Sequence, residues 1–228
     1  MKTAFRISVL LLLSHGAIAA DDDIYTFIQA DRLEYVESED AVVWDLQGWV
    51  GDDYHKLWAK AEGEHGEDGI EENEIQLLYS RAWTPFFDWQ AGFRFDSAPG
   101  PSRSSIVLGV QGLAPQWFEI DAAVFLSEDG DLSARLEAEY DLLITQRLVL
   151  QPRFEIEAAA NSAPDIGVGS GISSTELGIR VRYEFSRKFA PYIGVNWTWL
   201  HGETADFANA AGERDGDTSA IIGLRLWY

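Results

Sequence analysis

A chain of 228 residues with 17 basic and 38 acidic side chains, no Cys and a net charge of −21 excludes disulfide scaffolds and thiolate metal centres. That charge repels nucleic acid and attracts cations. Against so much acidity stand 9 Trp, 8 Tyr and 12 Phe, the aromatic surplus that bilayer interfaces enrich.

The first residues place Lys2 and Arg6 before an apolar run, Ile7 to Leu13, and then small residues ending Ala17-Ile18-Ala19. This three-part layout is a secretory signal peptide over residues 1–20, leaving 21–228 as one domain. Two of the 17 basic residues leave with it, so 15 face 38 acidic ones, a net of −23. The apolar run is too short to cross about 30 Å of hydrocarbon as a helix, and no later segment offers about 18 uninterrupted apolar residues. A helical membrane protein is excluded.

Strands are expected at about 25–36, 41–50, 54–64, 72–83, 86–96, 104–112, 117–126, 132–142, 147–158, 173–185, 189–200 and 218–228. The period of two is plain where Phe87, Trp89, Ala91, Phe93 and Phe95 alternate with Asp88, Gln90, Gly92, Arg94 and Asp96. It recurs in 132–142, 148–158 and 175–185, always with one apolar and one ionic face. Alternation alone also suits a soluble sandwich. Segments of about ten to twelve residues exceed ordinary soluble strands and match a tilted membrane crossing. Short links (Gly51–Asp53, Thr84–Pro85, Leu113–Gln116, Leu143–Gln146, Ser186–Lys188) alternate with longer polar ones (65–71, 97–103, 127–131, 159–171, 202–217). Such alternation is that of periplasmic turns and extracellular loops. The expected fold is therefore all-β: an antiparallel up-and-down outer-membrane barrel of about 12 strands, in a Gram-negative bacterium.

In such a barrel Ala220, Ile222, Leu224, Leu226 and Tyr228 face lipid. Glu137, Glu139, Asp141, Arg153, Glu155, Glu157, Arg180, Arg182, Glu184 and Arg225 face inward as an ion-pair lattice that narrows or blocks the pore. Glu62, Glu74, Asp88, Glu119 and Asp121 offer a cation path beside that lattice. Trp49 and Trp58 have inward parity, whereas Arg81 shares parity with Leu77 and Tyr79 and snorkels from the lipid face to the interface.

Ordered segments along nearly the whole of this domain resemble one family. They include Trp44-Asp45 with Gly48-Trp49-Val50-Gly51, Lys56-Leu57-Trp58, Leu78-Tyr79-Ser80-Arg81 and Asp88-Trp89-Gln90-Ala91-Gly92. Leu108-Gly109-Val110-Gln111-Gly112-Leu113-Ala114-Pro115, Thr145-Gln146-Arg147-Leu148, Phe189-Ala190-Pro191-Tyr192 and Gly202-Glu203-Thr204-Ala205-Asp206 continue the series. The resemblance is to the copper resistance protein B family of outer-membrane proteins. It implies a role in copper resistance and homeostasis, with copper bound or passed outward from the periplasm. It also implies contact with membrane lipid, copper ions and a periplasmic copper-binding protein, and no enzymatic reaction. Members often carry a Met- and His-rich segment ahead of the barrel. Here Asp21-Asp22-Asp23 follows the leader and Met1 is the sole Met, so residues 21–228 offer no thioether to Cu(I).

Toward Cu(II), the candidate ligands are His65 with Glu62 and Glu64, and His201 near Glu203 and Asp206, where imidazole meets carboxylates in expected extracellular loops. Ordinary solvated loops would carry the same residues. His55, with the parity of Leu57, is expected at the interface. Two other functions stay open: a general diffusion pore, and a rim hydrolase built on His201 with Asp206 or Glu203, for which no Ser motif is present.

Overall fold

The computed structural model describes residues 24–66 and 69–228; the signal-peptide reading falls outside them. Among these residues the chain is almost entirely sheet. In chain order the strands are β1 (Tyr25–Val36), β2 (Ala41–Gly51), β3 (His55–Gly66), β4 (Gly69–Ala82), β5 (Phe87–Ala98), β6 (Arg103–Leu113) and β7 (Glu119–Ser127). There follow β8 (Leu132–Glu139), β9 (Leu142–Leu143), β10 (Leu148–Ala159), β11 (Gly171–Tyr183), β12 (Phe189–Leu200) and β13 (Gly216–Trp227).

Apart from β8 and β9, which both pair with β10, each strand pairs antiparallel with its sequence neighbours, and β13 pairs with β1 through Gln29↔Trp227 and Val36↔Ile221. The sheet thus closes on itself. Tyr228 completes the seam, its N–H donating to the Ile28 carbonyl (2.8 Å) while its own carbonyl accepts from Ile28 N–H (3.0 Å). Closure leaves no unpaired edge in hydrocarbon.

The short β9 and β8 both lie on β10 in one unbroken register, Arg153↔Glu139 and then Leu150↔Leu142. They are two parts of one stave, so the barrel has twelve. Pro152 makes the gap: Tyr140 N–H reaches its carbonyl (3.2 Å), but proline has no N–H to return the bond.

Alternation governs which way each side chain points. Outward Leu57, Leu77, Phe93, Leu108, Leu177, Ile193 and Ile222 are exposed, as the lipid face of a barrel requires. Ala220, Ile222 and Tyr228 are exposed on the same side of β13, while Ser219 and Ile221 are buried.

Two expectations about the long links need correction. The first concerns 65–71, where β3 runs to Gly66 and β4 starts at Gly69. The links expected at 97–103 and 127–131 likewise shorten to 99–102 and 128–131. A ladder bond is satisfied in water as in lipid, so strands continue past the membrane until a turn stops them. The second concerns 202–217, which contains the helix α1 (Gly202–Ala211). Its four alanines favour helix, and Gly212 ends it in the left-handed conformation (φ +89°). Thr204 Oγ1 accepts the Gly169 N–H (2.9 Å), and a Cβ on Gly169 would lie 2.6 Å from the Thr204 nitrogen. α1 therefore docks only because residue 169 lacks a side chain.

The same rim is clasped by buried Arg103 at the start of β6, which holds Asp131 (3.0 Å) and Asp165 (3.0 Å) from two other loops. Replacing outward, mid-strand Leu177 by Arg should lower barrel stability by about 2–4 kcal/mol, whereas Gly169→Val should release α1 and leave the barrel intact. Urea unfolding of the refolded barrel checks the first, and limited proteolysis within 201–215 the second.

Candidate functional site

Inward positions carry the ionisable groups, and their partners come from across the lumen as well as from neighbouring strands. Arg135 on β8 reaches Glu62 on β3 (3.2 Å) and Glu74 on β4 (3.0 Å) while holding Glu157 on β10 (2.8 Å). The fully buried Arg153 on β10 contacts Glu137 (3.0 Å), Glu139 (3.4 Å), Glu176 (2.5 Å) and Glu155. Arg180 donates twice to Glu34 (2.6 and 3.1 Å). Arg182 bonds Asp141 (2.6 Å), and Arg225 bonds Asp31 (2.8 Å). The lattice expected from the alternation is present.

This lattice rests on an inward apolar cluster, Leu78, Val107 and Phe125, with Trp58 and Ala123 against it. The Arg94 and Arg135 guanidinium groups lie 4.6 and 5.8 Å from the Phe125 ring centre. Apolar neighbours lower the local dielectric, which strengthens paired charges and penalises unpaired ones.

Beside a lumenal cavity of about 420 Å³ lined by Arg182, Arg187 and Arg225 with Asp141 and Glu184, the lattice is flanked by two acidic chambers. One, of about 450 Å³, opens toward the short turns and is lined by eight carboxylates, among them Asp45, Glu62, Asp88, Glu119 and Asp121, against the cations Lys60 and Arg225. The other, of about 260 Å³, opens toward the long loops and is lined by eight glutamates, among them Glu39, Glu62, Glu64 and Glu72, against Arg32 and Arg135. Glu62 belongs to both. In each chamber eight carboxylates line the wall against two cations, and although Arg153, Arg180 and Lys56 pair with several of them from behind, the wall stays acidic and attracts cations. Four of the five expected path residues line the larger chamber; Glu74 is instead sealed beneath Arg94 (2.9 Å) and Arg135.

Trp49 and Trp58 point inward as their parity predicts. With Phe27 and Trp227 they form a lumenal aromatic chain, successive ring centres lying 6.3 Å apart. Lys56 lies 5.6 Å from the Trp49 ring centre and Lys60 5.9 Å from that of Trp58. The indole N–H of Trp58, in the wall of the larger chamber, has no partner.

The proposed copper ligands are dispersed. Glu62 and Glu64 face the lumen. Alternation along β3 turns His65 to the outer face, between exposed Val42 and Ile70, while the β3–β4 register shift falls at Glu71 on β4. His201 precedes α1 with its Nε2 3.0 Å from Thr175 Oγ1. Glu203 accepts hydrogen bonds from Ser170 instead of facing His201. Among the described residues no group of three or more His, Asp or Glu side chains is arranged to hold a metal ion.

Sequence parity missed Arg32 and its neighbours. The register shifts between Ala30 and Arg32, so the consecutive residues Asp31 and Arg32 both point inward, to Arg225 and to Asp45 (3.6 Å). Nothing in the sequence signals that bulge. The role of Arg135 as the link across the lumen was equally hidden, because parity gives the face of a residue and not its partner.

A closed antiparallel barrel with an apolar outside, a charged inside and, among the described residues, no helix long and apolar enough to cross a membrane is a porin-like outer-membrane β-barrel. The NanC porin has the same fold, at a TM-score of 0.57 and 12% identity over 89% of this chain and 99% of that one. The chain belongs to the copper resistance protein B family: the family described as "Copper resistance protein B precursor (CopB)" matches residues 24–228. It is 40% identical over 210 residues to the copper resistance protein B homolog of Pseudomonas syringae pv. tomato, covering 91% of this chain and 71% of that protein. The copper resistance protein B of Escherichia coli is also 40% identical, over 93% of this chain and 73% of that protein.

Removing one partner from a buried ionic network leaves uncompensated charge and costs about 3–5 kcal/mol. Arg153→Ala, which strands four carboxylates, should therefore shift the urea midpoint of the refolded barrel further than Arg103→Ala, whose partners reach water.

Proposed function

We propose that this protein is a noncatalytic copper-tolerance barrel of the Gram-negative outer membrane. In this reading its leader exports it, it receives copper from the periplasm, by way of a periplasmic copper-binding protein, and it assists the metal's passage outward. The observation that carries this reading is the pair of acidic chambers sharing Glu62, in a chain whose family and curated relatives bear the name copper resistance protein B. Carboxylate oxygens and a few imidazoles suit Cu(II), and the absence of Cys and of Met from residues 21–228 disfavours Cu(I). Glu62 and Glu64 are the lumenal members of the proposed ligand set, and His65 and His201 its members near the loop rim.

A strain lacking the gene should be more sensitive to copper and hold more copper in its periplasm; growth equal to wild type across copper concentrations removes the reading. Titration of the refolded barrel with Cu(II) and Cu(I) should show preference for Cu(II), reduced by Glu62→Gln and Glu64→Gln, with His65→Ala and His201→Ala reporting the rim ligands. An unchanged titration in all four variants would move copper handling to a partner.

The arginine belt between the chambers favours a second reading, a narrow diffusion pore. Wild-type barrel in a planar bilayer should then conduct weakly, and Arg135→Ala, which unties β8 from β3 and β4, should raise the conductance severalfold.

A further inference from the structure

Near the short-turn end the outer face carries a row unlike the rest of it. On β4 the outward positions Ile75, Leu77 and Tyr79 are uncharged, as are Ala91, Phe93 and Phe95 on β5. Arg81 ends the β4 row, exposed, directly opposite His55 on β3 and Trp89 on β5. Residues so paired have Cβ atoms about 4.5–5.5 Å apart, which sets guanidinium and imidazole side by side. Arg81 makes no ion pair with any described residue. His55 stacks on Tyr79 (ring centres 5.9 Å apart) and hydrogen bonds its hydroxyl through Nδ1, so Nε2 stays free.

A carboxylate of the adjoining turn is already engaged. Asp52 accepts the N–H groups of Tyr54 and His55, both at 2.7 Å, and these bonds hold its carboxyl below the usual carboxylate range. The Arg81 guanidinium and the His55 imidazole thus sit opposite each other at the boundary of an apolar wall, and neither side chain is ion-paired with a described residue. The level is interfacial: Tyr54, Trp83 and Phe86, in the adjoining turns, are strongly exposed aromatics. A phosphodiester fits this geometry, since guanidinium donates to it bidentately and the free imidazole nitrogen supplies a further donor.

We propose that Arg81 and His55, backed by Tyr79 and Trp89, form a binding site for the phosphate of a phospholipid in the leaflet at the short-turn end of the barrel. The site anchors the barrel at a fixed depth on the side opposite α1. It is independent of the lumen and of any metal bound there.

The test is native mass spectrometry of the full-length barrel extracted from membranes in mild detergent, with phosphatidylglycerol added back as the probe. Wild type should retain one tightly held phospholipid, and the Arg81→Gln/His55→Gln pair should retain about tenfold less. Arg147→Gln, which removes a cation from a turn at the same end, should retain lipid like wild type, and each protein should still show the band shift on heating of a folded barrel. Equal retention by the double variant overturns the proposal, as does an equal loss in Arg147→Gln. Displacement of the lipid by inorganic phosphate would also overturn it, because the site would then recognise a free anion and not a lipid at the interface.

Discussion

Backbone hydrogen bonding in hydrocarbon is the constraint on which the rest of this structure depends. An amide or carbonyl left unpaired in the bilayer costs several kcal/mol, so a chain crossing by strands must close its sheet, here through β1 and β13. Once it is closed, the pleat sends alternate residues to opposite environments, lipid outside and an enclosed lumen inside. The 38 acidic residues of this chain must avoid the lipid face, and those on the strands gather in the lumen.

Gathered there, they would repel one another and keep the barrel swollen with water. Arginine resolves this by its geometry: its planar, five-donor head serves several carboxylates at once, as Arg153 and Arg135 each do. The apolar cluster around Phe125 occupies the remaining cross-section. One assembly thus holds opposite walls together and separates two chambers. Cationic side chains are concentrated in the belt, and the chambers are left acidic. Structural and functional readings of the lumenal charges are therefore not alternatives, because the arginines that hold the belt together are what leave the remaining carboxylates facing open space.

The barrel's outside is simpler, and its departures from apolar character are correspondingly informative. Arg81 and His55 face each other on adjacent strands beside exposed turn aromatics, and α1 covers part of the opposite rim. The two ends are built by different means. The short-turn end is ringed by exposed aromatics such as Tyr54, Trp83 and Phe86, while the loop end is clasped by Arg103 and its aspartates.

Strand positions, the even stave count, the lipid face of β13 and the inward lattice were legible in the sequence, because a period of two over about ten residues records directly that one face meets lipid and the other does not. Family membership was legible too, through motifs such as Leu78-Tyr79-Ser80-Arg81. The sequence could not disclose the bulge at Asp31, which turns Arg32 inward, nor the docking of α1 on Gly169. It also could not pair Arg135 with Glu62 and Glu74, although alternation along β3 does separate His65 from Glu62 and Glu64. The reason is that alternation is a local property of the backbone, while partners across a lumen are set by register and by the curvature of the closed sheet, which exist only once all twelve staves are in place.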